Sequence, residues 1–507
     1  MFDKFNVVFI QIDSLNRHFL SPYGNDWVQT PNLDAFAKRA AVFDNHFVSS
    51  APCMPARREI WTGTQEFWWR GWGPLEPWDI PLAYLAGQAG VSSFLVTDHY
   101  HFMEWGAHSY NYDFQGYEFI RGQEVDNWRT ELVDEVPDWA MKMVERRGEE
   151  ALNYLRNVNT FENEDDFFGP KVMRATADWL DRNHNQGQFY LHVDCFDVHE
   201  PFHIPEPYRS LYTNDDYRKY NPWPLYGWVN QGLTSLSTEE VEWVRAQYAG
   251  KLTMLDTWLG QVFERLDRYN LWDRTCVLLT TDHGHFLGDH QWMGKGEAPM
   301  YHTLSHIPLI VWHPQGMYNG SRIGAMTQTL DLYATVLDFL GIEVPTKDYI
   351  HSMSLRPLLL GGHDQHRECA VYGYSNDRIG ITAGEWTLLR DHDNQAASPY
   401  FYTHQVEHMG GIGRRKRAKR LFNFPQITAG NYIRDVEMPV WQMPASSMRI
   451  LSSPKRPDLL FHNPSDPEQL KNIYQENPDV VRQLENLLYN QMNAVGAPSE
   501  QFLRLGL

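Results

Sequence analysis

The sequence predicts an α/β fold: a large, mostly parallel sheet sandwiched by helices, followed by a smaller α+β part. Three observations predict it. Short apolar runs without internal alternation recur along most of the chain, as strands buried on both faces require. Amphipathic helices separate them, the pattern of a parallel sheet with helical crossovers. From about residue 370 that rhythm gives way to short strand-like pieces and polar loops.

The strand runs are NVVFIQI (6–12), SSFLVT (92–97), QFYLHV (188–193), TCVLLTT (275–281) and IPLIVW (307–312). The clearest helix starts at the capping box Ser237-Thr238-Glu239-Glu240, where serine and glutamate satisfy otherwise unpaired amides. It continues through Val244, Tyr248, Leu252, Leu255, Leu259 and Phe263 at helical spacing. Further helices are expected over 170–183 and 330–341. Residues 1–370 are therefore read as one large α/β domain. Residues 371–507 are read as a subdomain with a small antiparallel sheet and a terminal helix near 478–493.

The 507 residues are 42% hydrophobic and 14% aromatic, enough to bury a large interior. No run of eighteen or more apolar residues suggests a membrane span. MFDKFNVVFIQID lacks the basic and apolar regions of a signal peptide. A cytoplasmic location is the expectation if Met1 is the natural start. Four widely spaced cysteines with no CxxC argue against disulfides or structural zinc. A formal net charge of −20 argues against nucleic acid as partner; an anionic substrate would then need a local cationic pocket. A homo-oligomer is among the expected partners.

Four of the strands end in polar clusters: Asp13-Ser14, Asp98-His99-Tyr100-His101, Asp194 with Asp197-Val198-His199, and Asp282-His283-Gly284-His285. Open α/β sheets bind ligands at the carboxyl ends of their strands, so these clusters are expected to meet. Asp13, Asp282 and His283 offer hard carboxylate oxygens plus an imidazole, a divalent-metal donor set that extends to manganese. His101 and His199 are candidates to contact an anion or protonate a leaving group. Lys295 lies between glycines in MGKGE, which let a ligand approach the backbone.

SSAPCMPARREIWTG (49–63) places Cys53 between two prolines. Pro52 disfavours helix before it, and Pro55 suits the first helical turn. Cys53 is then at a helix N-terminus, where unpaired amides and the helix dipole favour negative charge, with Arg57 one turn further on. That placement describes an activated nucleophile; a buried thiol beside a structural arginine is the alternative.

CMPAR, with Thr62-Gly63 following, resembles the Cys-x-Pro-x-Arg signature of the type I sulfatases in the alkaline-phosphatase superfamily. NVVFIQIDSL, FDVHEPF, the segment from TTDHGHF to WHP, SLRPLLLG and LLFHNPSDPEQLKN resemble further landmarks in the family's order. The resemblance implies an alkaline-phosphatase-like fold. It also implies oxidation of Cys53 to formylglycine by a formylglycine-generating enzyme. One hydroxyl of the hydrated aldehyde would attack sulfur and displace the alcohol; the other would lose its proton and expel sulfate.

Asp13, Asp282, His283 and the modified Cys53 fall on metal-ligand positions for one divalent ion, calcium first, with manganese or magnesium as alternatives. Arg57 would hold the modified residue. His101 and His199 fall on sulfate-contacting or proton-transfer positions, Lys295 on the leaving-group lysine, and His99 replaces a lysine in substrate binding. Ser14 replaces a second aspartate, as a weak ligand or a neighbour of water. The implied substrate is a sulfate monoester of a small molecule or an oligosaccharide. Phosphonate monoester or phosphodiester hydrolysis on the same scaffold is the alternative, and a non-catalytic binder of anionic glycans is a third reading. The basic run GRRKRAKR (413–420) is read as a solvated loop or subunit contact before a substrate arm. The aromatic stretch 67–78 would either stack on sugar rings or pack under a loop.

Overall fold

The computed structural model describes residues 4–104, 107–296, 298–393, 396–397, 399–405, 428–445 and 455–507. The basic run 413–420 lies outside the described residues. The large sheet has eight strands: β1 (Asn6–Ile12), β2 (Ala41–Phe47), β3 (Ser92–Thr97), β4 (Gly116–Phe119), β5 (Phe189–Cys195), β6 (Thr275–Thr280), β7 (Leu309–Trp312) and β8 (Arg322–Gln328). Their spatial order is β8-β2-β7-β6-β1-β5-β3-β4. Every pairing is parallel except those of β7, which runs antiparallel to both β6 and β2. This is an alkaline-phosphatase-like architecture.

The unbroken apolar character of β1 follows from its two buried faces. Val8, Ile10 and Ile12 enter one apolar cluster, and Val7 and Phe9 enter the other, as alternate strand residues must. Helices α2 (Phe168–Asn183) and α3 (Thr238–Arg268) close the first face with Val172, Leu180, Tyr248, Leu252 and Leu259. Helices α1 (Cys53–Thr62) and α4 (Asp331–Leu340) close the second with Ile60, Trp61, Leu332, Val336 and Leu340. Burial of each such side chain is worth roughly 1.5–3 kcal/mol relative to exposure. The box at Ser237 forms as expected, with Ser237 and Glu240 bonded reciprocally.

Strands β2, β4 and β8 were not evident in the sequence. β4 and β8 are the two edges of the sheet and carry exposed or half-buried polar residues, and β2 ends in the mixed AVFDNHF. Such strands lack the apolar continuity of the centre.

A second, five-stranded sheet has the order Leu459–His462, Trp386–Arg390, Ile379–Ala383, Ala370–Tyr374, Ser50–Ala51. Its last pairing is parallel and joins Gly373 and Tyr374 to Ser50 and Ala51, directly before Cys53. The helix Pro478–Val495 packs on this sheet through Val481, Leu484 and Leu488. Phe67, Trp68, Trp69 and Trp78 are buried in the same cluster, so most of the aromatic stretch is core. No helix among the described residues is long and apolar enough to cross a membrane.

Candidate active site

The four strand-end clusters converge because their strands are consecutive neighbours. β6, β1, β5 and β3 lie side by side and parallel, so Asp282, Asp13, Asp194 and Asp98 leave one edge together.

Helix α1 delivers Cys53 and Arg57 to that edge. All ten of its residues are buried. Ser50 donates to Glu59 Oε2 through its amide at 2.9 Å and its hydroxyl at 2.6 Å, tying the entering strand to the helix. Gly63 ends the helix at φ +73°, a left-handed conformation that suits glycine. Successive helical residues point about 100° apart, and the Arg57-Arg58 pair divides accordingly. Arg58 turns to Glu66 and Asp79, at 2.9 and 2.8 Å.

Arg57 organises the floor. Its Nε and Nη2 donate to the two oxygens of Asp194 at 2.8 and 2.7 Å, and its Nη1 donates to Asp282 Oδ2 at 2.7 Å. Nη2 also lies 3.0 Å from Asp13 Oδ2. Asp282 Oδ1 accepts from the amides of Ser14 and His283 at 3.1 and 2.9 Å. Lys295 Nζ is 3.2 Å from Cys53 Sγ, 3.2 Å from Ser14 Oγ and 3.6 Å from Asp13 Oδ1. Ser14, at φ 60°, donates its hydroxyl to Asp13 Oδ1 at 2.8 Å.

The donor set fits a divalent cation. One ligand atom each from Asp13, Cys53, Asp282 and His283 lie within 4.8 Å of one another, all buried. His283 Nδ1 bonds the Gly284 carbonyl at 2.8 Å, so the lone pair of Nε2 faces Cys53 and the carboxylates, the orientation typical of ligating histidine. Asp13 Oδ2 is buried and makes only ion-pair contacts, with Arg57 Nη2 at 3.0 Å and His99 Nε2 at 3.4 Å, none with hydrogen-bond geometry. The floor brings two cations, Arg57 and Lys295, against three carboxylates, Asp13, Asp194 and Asp282. A divalent cation would reverse that balance and suit an anionic substrate.

The Sulfatase family model matches residues 5–342. The chain belongs to the sulfatase family of sulfuric ester hydrolases. An arylsulfatase of Clostridium perfringens (strain 13 / Type A) is 24% identical over 387 residues, covering 70% of this chain and 78% of its own. An N-acetylglucosamine-6-O-sulfatase of Bacteroides thetaiotaomicron is 23% identical over 461 residues, covering 80% of this chain and 75% of its own. The crystal structure of a phosphonate monoester hydrolase of Agrobacterium radiobacter superposes with a TM-score of 0.65 at 20% identity, over 97% of this chain and 96% of that one.

In this sulfatase the unmodified thiol of Cys53 is not activated. Burial pushes it well above its usual value and Asp13 and Asp282 add to that, against Lys295 and Arg57. The Asp13 carboxyl shows the converse. Burial would raise it, but Lys295, Arg57 and His99 hold it well below the carboxylate range. Lys295 is raised despite burial by Cys53, Asp13 and Asp282.

The remaining expected residues surround this floor. His99 Nε2 is 3.4 Å from Asp13 Oδ2, and burial with Arg57 lowers its pKa. His101 Nδ1 is 2.7 Å from Glu104 Oε2, and its ring meets Trp72 edge-on with centroids 4.6 Å apart. His199 Nδ1 bonds the Glu200 carbonyl at 2.8 Å. Four participants escaped sequence reasoning: Asp194 as the bidentate partner of Arg57, and Glu124, Glu200 and His285 around His199. Asp194, Glu200 and His285 stood in or beside the strand-end clusters, and that was their signal. Glu124 had none, since it comes from a loop after β4.

Proposed function

We propose that this chain is a metal-dependent sulfatase that hydrolyses the sulfate monoester of a carbohydrate or aromatic alcohol, using formylglycine made from Cys53. One observation carries the reading: the Cys53 side chain, at the first turn of a buried helix, lies within 4.8 Å of donor atoms of Asp13, Asp282 and His283. The two sulfatase relatives, an arylsulfatase and an N-acetylglucosamine-6-O-sulfatase, support the substrate class.

Asp13, Asp282 and His283 would hold one divalent cation, calcium first with manganese or magnesium as alternatives, which when bound supplies positive charge for the sulfate oxygens and the attacking hydroxyl. Formylglycine hydrate supplies two hydroxyls on one carbon, one to bond sulfur and one to release it.

The chain's own residues supply the rest. Arg57 fixes the helix turn against Asp194 and Asp282, and donates to the Cys53 carbonyl at 3.2 Å, so the nucleophile keeps one position. Lys295, cationic and 3.2 Å from Sγ, neutralises charge on the sulfate and on the departing oxygen. His199 presents Nε2 as the proton donor to that oxygen. His99 and His101 line the wall beside Asp13 and offer hydrogen bonds to sulfate. Near-complete burial of Cys53, at 1% exposure, keeps bulk water from the nucleophile.

The test is mass spectrometry of the tryptic peptide holding residue 53, from protein made with its maturation enzyme, beside turnover of 4-nitrophenyl sulfate. Conversion of thiol to aldehyde, with Cys53→Ala abolishing turnover, is the expected result. An unconverted thiol in fully active protein would refute the nucleophile.

Phosphonate monoester hydrolysis is the second reading, favoured by the departures at Ser14 and His99. Parallel kinetics on a sulfate monoester and a phosphonate monoester decide it, and higher kcat/KM on the phosphonate would reverse the assignment.

A further inference from the structure

His199 is gripped on one edge by carboxyl groups from two separate segments. Its Nδ1 is 3.3 Å from Glu124 Oε1 and 3.3 Å from Glu200 Oε2, besides the 2.8 Å bond to the Glu200 carbonyl. The ring stacks on Phe196 with centroids 4.3 Å apart. No protein partner meets Nε2 among the described residues.

The loop that supplies Glu124 is built to hold it there. Gln123 Nε2 donates to Asp98 Oδ2 at 2.8 Å and to Asp197 Oδ1 at 3.2 Å. Asn157 Nδ2 donates to the carbonyls of Gly122 and Asp126 at 3.2 and 2.8 Å. Between these anchors Glu124 takes φ 41°, a conformation costly for a residue with a Cβ and characteristic of functional sites. Tyr100 donates to Glu124 Oε2 at 2.8 Å. Glu200 Oε2 is buried without a hydrogen bond, 3.7 Å from His285 Nε2. None of these contacts is needed to hold the cation or the nucleophile.

We infer that Glu124 and Glu200 are positioning residues for His199, holding its Nδ1 edge so that Nε2–H faces the departing alcohol. The inference rests on the sulfatase reading above. As the S–O bond breaks, its electron pair leaves on the alcohol oxygen, and that oxygen takes the proton from Nε2. The imidazolium becomes imidazole, still bonded through Nδ1–H to the Glu200 carbonyl. The two carboxyl groups support the cationic ring before transfer, as a buried carboxylate supports histidine in other general-acid pairs. In the unliganded site burial, with Lys295 adding to it, holds the ring well below its usual value against Glu200 and Asp13; the ring takes its proton when an arriving sulfate adds negative charge on the same side. Burial and Glu200 push the Glu124 carboxyl up to about 8; burial would also raise that of Glu200, but His199 and His285 hold it down to about 2. Glu200 is the anionic member, and Glu124 braces the ring.

A leaving-group series separates this role from a structural one. Proton donation matters when the alcohol is a poor leaving group and little when it is a good one. Glu200→Gln and Glu124→Ala are expected to lower kcat/KM on an alkyl sulfate about tenfold to a hundredfold, but on 4-nitrophenyl sulfate by less than about threefold. The plot of log rate against leaving-group pKa should therefore steepen. Should either variant fail to fold, Tyr100→Phe, which removes the phenol bond to Glu124, is expected to steepen the plot less. Parallel losses across the series, or an effect on KM alone, would overturn the inference while leaving the sulfatase reading intact. Normal turnover by Cys53→Ala would instead remove that reading, and this inference with it.

Discussion

Cys53 Sγ lies 3.3 Å from His283 Nε2, across 230 positions of sequence. The first turn of a helix and the end of a central strand thus share one small volume with Asp13 and Asp282. If that volume holds the cation, removing a donor must remove the metal before it disturbs the fold. Asp282→Asn and His283→Ala should each bring bound metal well below one ion per chain by elemental analysis. Turnover should fall about a hundredfold or more, the scale seen on losing one preorganised charge-stabilising group. Treatment with a chelator should match this in the wild type, and calcium, manganese or magnesium added back should restore it. Full activity in the metal-stripped protein would contradict the donor assignment.

Arg57 touches Asp13, Asp194 and Asp282, and nothing in its guanidinium is exposed. Lysine cannot reproduce a bidentate bond in one direction and a second bond in another. Arg57→Met, which removes the charge and leaves the carboxylates unpaired, should destabilise by about 3–5 kcal/mol, and Arg57→Lys by less, measured by denaturant unfolding. Asp194→Asn should cost less, since Arg57 keeps Asp13 and Asp282. Equal effects would show that the Asp194 bonds carry the whole contribution.

Asp331 gives a pH dependence away from the site. Burial would raise its carboxyl, but Arg367, bonded at 2.7 and 2.5 Å, and His366 hold it far below the usual range. A depressed carboxyl contributes stability that is present above its unfolded value and lost as pH falls through its folded value. Asp331→Asn should therefore lower Tm strongly at neutral pH, and the gap to wild type should narrow below about pH 4. A gap constant with pH would show that the pair contributes through packing alone.

Gly63 closes the helix that carries Cys53 and Arg57. A Cβ there would stand 2.7 Å from Tyr333 Cδ1 and 2.9 Å from Ser352 Cβ, at φ +73°. Gly63→Ala should destabilise by about 1–3 kcal/mol from the clash, read as a fall in Tm. Per folded molecule, kcat should change little at a permissive temperature, because Arg57 anchors the N-terminal turn separately to Asp194, Asp282 and the Cys53 carbonyl. A kcat loss without a Tm loss would mean that the cap sets the nucleophile's position.

Local residue patterns specify the α/β class, the central strands, the box at Ser237, the helix after Cys53 and the four polar strand ends. These are short-range consequences of side-chain period and of proline, and a doubly buried strand cannot hide its apolar run. Tertiary structure decided which strands are neighbours, and so that Asp13, Asp194, Asp282 and His283 meet around Arg57. It also decided the edge strands, whose half-exposed residues carry no period of their own, and the fate of the aromatic stretch, which packs under the small sheet. Glu124 shows the limit most plainly. Its place beside His199 depends on Gln123 and Asn157 bonding to elements far away in the chain, and long-range hydrogen bonds leave no spacing to read.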